Sequence, residues 1–411
     1  MARIQWTRLS VRGVVSGELS FLAERLKAWQ VRRASWGGPL YRGRATPRST
    51  DLTLMSNDYL AVGGHPAVLD AQVRSLREQG NGALMSGVFT GDTDPLRHLE
   101  ASLADWLTAP AVMLCQSGWA ANTGLIPAIC PPGAPVYVDE LAHASLWEGI
   151  AAARAVARPF AHNDTEHLER SIRHHGPGLI AFDTLYSVTG DLCPLLELTA
   201  VAHRTGSELI ADESHTLGVL GHRGAGLVAA LGLTDRVAYR TASLAKAFAG
   251  RAGLVACAEE VADYLPYHSL GAVFSSTLLP HDVAGLAAAL RVLTTADDRR
   301  ARLERHSRRL REGLTALGYH IAPSESQIIP LQPGTEPGVR RLQQALDARG
   351  VFGAAFVPPS VPARRCVQRL SVHSELTDAD LDRILDACAA VRDEVGLRDW
   401  RSTRRLAAAA H

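Results

Sequence analysis

From residue 51 the chain alternates short apolar runs with stretches of helical periodicity. That alternation predicts βα units and a parallel sheet. The expected strands are AVMLC (111–115), PVYVD (135–139), LIAFD within 178–183, ELIAD (208–212), VAYRTA (237–242) and GLVACA (253–258). Between them DPLRHLEASLADWL and CPLLELTAVAHRTG carry apolar residues at three- and four-residue spacing, as amphipathic helices do. Ahead of this region LSFLAERLKAWQ (19–30) has the same spacing, and a Gly/Pro/Arg connector follows to about residue 50. After about 280 the pattern becomes long helix with an expected break near 297, then a smaller α+β part that closes on the helix TDADLDRILDACAAVRDEV. The expected organisation is an N-terminal arm (1–50), a large domain (51–295) and a small C-terminal domain (296–411), with AAAA (407–410) as a frayed tail.

The bulk numbers narrow the class. With 46% apolar residues and a net charge of +1, the chain reads as an ordinary globular protein. Its charges are interspersed rather than striped, which argues against nucleic-acid binding. No apolar run reaches the roughly 18 to 20 residues needed to span a bilayer. The start, MARIQWTRLSVRGVV, is basic and acid-poor but has no apolar segment of the signal-peptide kind, so a docked arm is expected there. Cysteines 115, 130, 193, 257, 366 and 388 show no CxxC and no metal spacing. They read as small core residues in a reducing, cytoplasmic setting, and no metal is expected.

Lysine usage then singles out one residue. Of 43 Lys and Arg residues only Lys27 and Lys246 are lysines. The two cations part where chemistry needs an amine that can lose its proton, since guanidinium stays charged. Three expected strands end in an acid, at Asp139, Asp183 and Asp212, and open α/β sheets bind ligands at the carboxyl ends of their strands. Lys246 follows the strand after Asp212. A lysine with an aspartate from a neighbouring strand end suits pyridoxal phosphate, whose ring nitrogen needs a carboxylate. Its phosphate needs a helix N-terminus, and QSGWAAN (116–122) lies between a strand and an apolar helix.

SNDYLAVGGHP (56–66), SGWAANTGLI (117–126), HASLWEG (143–149), YSVTGDLCPL (186–195), DESHTLGVLG (212–221), SLAKAF (243–248) and FSSTLLP (274–280) follow in order. Together they resemble the successive signatures of the α-oxoamine synthases, over most of residues 50 to 395. Within that family the stretches MSGVFTGD, HHGPG, TASLAKAFAGRAG, SESQII and RGVFGAAF are most similar to the autoinducer synthases, which make α-hydroxyketone signals or their amino-ketone precursors. The biotin and threonine-pathway members usually have glycine where this chain has Ala245, and a glycine-rich stretch where it reads NGALMSG (81–87).

The resemblance implies the fold of pyridoxal-phosphate transferases of fold type I, α/β with a mostly parallel central sheet, a smaller C-terminal α+β domain and an N-terminal helical arm. It implies pyridoxal 5'-phosphate as cofactor, with Lys246 as the Schiff-base lysine, Asp212 at the ring nitrogen and His143 on the ring face. Ser117, Gly118, Trp119 and Ser243 would hold the phosphate, and Ser187 and His215 would lie by the ring oxygen. Ser276 or Thr277 would reach the partner's phosphate across a homodimer. Arg369 would hold the substrate carboxylate, although Arg364 and Arg365 lie near it in sequence, and Ser360 would stand on the substrate side. The implied reaction is condensation of an amino acid, or S-adenosylmethionine, with a fatty acyl-CoA and loss of CO₂. Leu84, Met85, Val88, Phe89 and Trp119 are candidates for an acyl path or for core packing. Two other readings stand beside this one: 8-amino-7-oxononanoate synthase or another primary-metabolic member, and a non-catalytic partner subunit. An ordinary aminotransferase shares the lysine and aspartate but not HASL or FSST.

Overall fold

The computed structural model describes residues 22–403. The chain start, the first residues of the 19–30 helix and the alanine tail lie outside them. Among the described residues there are eleven strands: β1 Leu52–Leu54, β2 Ala111–Cys115, β3 Pro135–Asp139, β4 Val156–Phe160, β5 Leu179–Asp183, β6 Glu208–Asp212, β7 Tyr239–Ser243, β8 Gly253–Cys257, β9 Ile328–Gly334, β10 Val351–Phe356 and β11 Cys366–Ser371. Seven form one sheet in the order β2-β8-β7-β6-β5-β3-β4. All run parallel except β8, which is antiparallel to both neighbours. The interior strand β5 is buried at every residue, as a parallel strand covered on both faces requires.

The edge strand β4 has no counterpart among the sequence expectations. Its VARPF sequence buries only Phe160, and Arg and Pro are tolerated there because one side of the strand needs no partner. β7 begins at Tyr239, two residues later than expected. The N-terminal helix runs Ala23–Ala34, past the expected end at 30. The long helical stretch is split into Pro280–Leu293 and Asp297–Ala316, with Asp297 and Asp298 at the positive start of the second helix.

A second sheet has the order β1-β10-β11-β9. β1 pairs in parallel with β10, so Leu52–Leu54, in the range expected for the large domain, is built into the sheet of the C-terminal part. Side chains of both parts share one continuous hydrophobic core, from Leu54 and Leu103 to Leu342 and Leu370. The end of the first helix and the residues after it also dock on the C-terminal part: Arg32 pairs with Glu336, and Trp36 and Leu40 pack with Val339 and Val357. All six cysteines are buried and unbridged.

Candidate active site

The parallel strands carry Asp139, Asp183 and Asp212 to the same end of the sheet. Because β7 and β8 are antiparallel, the Leu244–Ala252 connection turns back at this end as well. It is closed by Leu244 N–H to the Ala252 carbonyl and Gly250 N–H to the Leu244 carbonyl, 2.9 and 3.0 Å. Lys246 sits within it, half-buried. Burial holds its amine below the ordinary lysine range, and the Arg369 charge acts in the same direction against Asp212 and Asp183.

Asp212 is buried at the tip of β6. One oxygen accepts the Ser214 N–H at 3.0 Å and the other accepts the Asn122 amide at 2.8 Å. Asp183, its cross-strand neighbour, accepts the His143 N–H at 3.1 Å. Burial, and then the adjacent Asp212, raise the Asp183 carboxyl well above the usual carboxylate range. His143 caps the helix Ala144–Ala152 and is exposed, with the Trp119 indole edge-on to it at 6.2 Å.

The helix Gly118–Ile129 starts beside Ser243 at the end of β7. A Cβ on Gly118 would lie 2.6 Å from Ser243 Cβ, so only glycine permits this approach. Ser117 caps the helix through Ala120 N–H at 3.1 Å. The N–H groups of Gly118 and Trp119, in its first turn, have no partner within the helix and suit an anion. Ser243 itself is held by its N–H to Ser214 Oγ at 2.7 Å.

His215 is buried, with Nδ1 2.6 Å from Tyr59 Oη. Burial, then the charges of Lys246 and Arg369, push its pKa well below the ordinary histidine value and keep the ring neutral. Arg369 on β11 is also buried. It donates to the Ser187 carbonyl at 2.7 Å and to Asn57 Oδ1 at 2.8 Å, and stacks 4.7 Å over Phe356. Its Nε has no partner, and among the described residues no carboxylate lies within ion-pair distance. Arg365 instead lies beside Glu140, at 3.8 Å.

Asn57, Tyr59, Asn122, Ser145 and Ser214 were not singled out from the sequence, although each lies inside a quoted motif. Ser276 and Thr277 lie against Met85 and Ser86 of the same chain, and Gln116 donates to the Ser276 carbonyl. Ser360 is exposed in the turn after β10, with its N–H on the Val357 carbonyl at 3.0 Å. Of the acyl-path candidates, Leu84, Phe89 and Trp119 are exposed rather than packed in the core.

The donor set fits pyridoxal phosphate: a lysine with a lowered pKa, a buried aspartate one strand away, and a helix N-terminus kept open by Gly118. Comparison with known proteins agrees. Residues 49–388 match the family of class I and II aminotransferases. The CAI-1 autoinducer synthase of Vibrio campbellii is 41% identical over 83% of this chain and 87% of its own. The 8-amino-7-oxononanoate synthase of Geobacter metallireducens is 33% identical over 84% and 90%. Sphingomonas wittichii serine palmitoyltransferase superposes with a TM-score of 0.87 at 25% identity, covering 92% of this chain and 100% of that one. A serine palmitoyltransferase structure carrying the pyridoxal phosphate internal aldimine superposes at 0.85, with 25% identity and coverage of 92% and 100%. The chain therefore belongs to the class I and II aminotransferase family and, within it, to the α-oxoamine synthases, acyltransferases of fold type I whose cofactor is pyridoxal 5'-phosphate.

Proposed function

We propose that this enzyme joins an amino acid, or S-adenosylmethionine, to a fatty acyl-CoA with loss of CO₂, giving an α-aminoketone-type precursor of a quorum-sensing signal. The observation that carries the amino-acid half is Arg369. A buried guanidinium whose charge reaches Lys246 and which lacks a carboxylate partner is suited to the carboxylate of a substrate. The bound cofactor supplies an electron-accepting ring. Asp212 would hold a proton at the ring nitrogen, and Ser243 with the Gly118 and Trp119 N–H groups would hold the phosphate. His143 would cover the ring face, with Ser187 and His215 on the ring-oxygen side. Lys246 would take the proton from the substrate α-carbon, for which a lowered pKa suits it.

The fatty acyl half is supported by the 41% identity to an autoinducer synthase and by apolar side chains available on the surface. Leu84, Phe89, Tyr267, Leu270 and Phe274 are 70 to 81% exposed. The Met85–Thr277 and Ser86–Ser276 pairing joins the two segments that carry them. An apolar surface of this kind suits a second copy of the chain, which would bring Ser276 or Thr277 to the partner's phosphate.

The second reading, 8-amino-7-oxononanoate synthase, is favoured by relatives at 33 to 36% identity. A pimeloyl-type donor ends in a carboxylate, whose burial among apolar groups costs several kcal/mol unless paired. An alkyl chain instead gains about 0.8 kcal/mol for each CH₂ buried. The test compares kcat/KM for acetyl-, pimeloyl-, octanoyl- and decanoyl-CoA with one amine donor, with products identified by mass spectrometry. Efficiency should rise with alkyl length; a pimeloyl optimum would favour the second reading.

A further inference from the structure

A chain of buried hydrogen bonds runs from Asp212 to His143 through two residues with no role assigned above. Asn122, on the helix Gly118–Ile129, and Ser145, on the helix Ala144–Ala152, are both fully buried. They meet because Gly149 lets the two helices close on each other, where a Cβ would lie 2.8 Å from the Asn122 carbonyl oxygen. Asn122 Nδ2 lies 2.8 Å from Asp212 Oδ2 and 2.8 Å from Ser145 Oγ, while its Oδ1 lies 2.6 Å from Thr241 Oγ1. Ser145 Oγ lies in turn 2.7 Å from His143 Nδ1.

The direction of each bond follows from the one before. A carboxylate only accepts, so Asp212 requires the NH₂ side of the Asn122 amide to face it. The second amide proton then goes to Ser145 Oγ, and the Thr241 hydroxyl serves the amide oxygen. Ser145 Oγ has two partners, and since Asn122 donates to it, the hydroxyl proton is left for the other, His143 Nδ1. The Ser145 backbone N–H points at the same nitrogen from 3.3 Å, so both donors treat Nδ1 as an acceptor.

We propose that Asn122 is a positioning residue: by donating to both Asp212 and Ser145 it fixes His143 as the Nε2–H tautomer, leaving that N–H as the ring's donor. The acid and the histidine of the site are then set by one amide. The inference rests on the assignment of this cofactor site and not on the acyl donor, and it is read in the apoprotein without substrate, so it stands or falls separately from the proposed reaction.

The test is nitrogen NMR of the apoprotein labelled with ¹⁵N-histidine, with the His143 signals among sixteen histidines identified by their loss in His143→Gln. In the wild type Nδ1 should show the shift of an unprotonated, hydrogen-bonded ring nitrogen and Nε2 that of a protonated one. In Asn122→Ala the serine hydroxyl is free to turn, and the two shifts should move towards each other as tautomers mix. Ser145→Ala should do the same in part, since only the longer backbone bond remains, and it decides the matter if Asn122→Ala does not fold. A wild-type ring protonated on Nδ1 overturns the proposal. So does the wild-type pattern persisting in every folded variant, which would assign the tautomer to the backbone N–H alone.

Discussion

In the proposed reaction, Lys246 is the side chain on which the chemistry depends. Its amine is pulled below the ordinary lysine range by burial, whereas a guanidinium would stay charged in the same place. Lys246→Arg should therefore fold and retain cofactor loosely through the phosphate contacts, yet lose turnover as completely as Lys246→Ala. Borohydride treatment of the wild type followed by peptide mapping should find the cofactor mass on Lys246; recovery on Lys27 would refute the assignment. The lysine was visible in the sequence because arginine replaces it almost everywhere else. Asn122 was not, because an asparagine in an apolar helix shows its importance only once its three partners are in place.

At the scale of elements, the Gly118 approach and the His162 bridge hold the site together. Gly118→Ala would put a methyl group 2.6 Å from Ser243 Cβ, and helix and strand would have to part. The expected cost is about 1–3 kcal/mol in stability together with weaker cofactor retention, measured by thermal melting and by dialysis. Unchanged values for both would show that the contact is slack.

His162 links the end of β3 to the loop that carries Ser187. Its Nδ1 is 3.0 Å from Asp139 and its Nε2 is 2.7 Å from Asp191. Burial works against its charge, but hydrogen bonds and charges from the two aspartates outweigh burial and lift it to about 9. A raised pKa means that the folded state favours the protonated ring. The contribution is complete below the unfolded value near 6.5 and fades as pH rises through about 9. His162→Gln should thus destabilise the protein by on the order of 2 kcal/mol at pH 6 and clearly less above pH 9. Denaturant melts across that range check it, and a pH-independent difference would exclude the charged bridge.

For the whole molecule the question is whether one chain completes a site. The exposed apolar surface around Phe89 and Phe274 suits a second copy. Lys246→Ala and the double variant Ser276→Ala with Thr277→Ala should each be impaired. Mixed and allowed to exchange, they should recover activity in heterodimers that contain one intact site. Full activity of dilute monomers would exclude a shared site.

The sequence by itself determined most of the elements and the family, and it supplied the candidate reactive groups. Apolar runs marked five of the seven strands of the large sheet to within a residue, and an acid at three strand ends marked the end of the sheet that carries the candidate site. These are local signals, carried by the residues that form the element. Tertiary structure decided what depends on distant partners. The pairing of β1 with β10 joins residues about 300 apart, and a three-residue strand has too little pattern to announce it. The polar edge strand β4 is a strand only because β3 offers it a ladder. The lysine needs an antiparallel β8 to bring its loop back to the acid, and the glycine at 118 earns its place only against Ser243. Periodicity records which face of an element is buried, but not what it is buried against, and the site is made of that second kind of information.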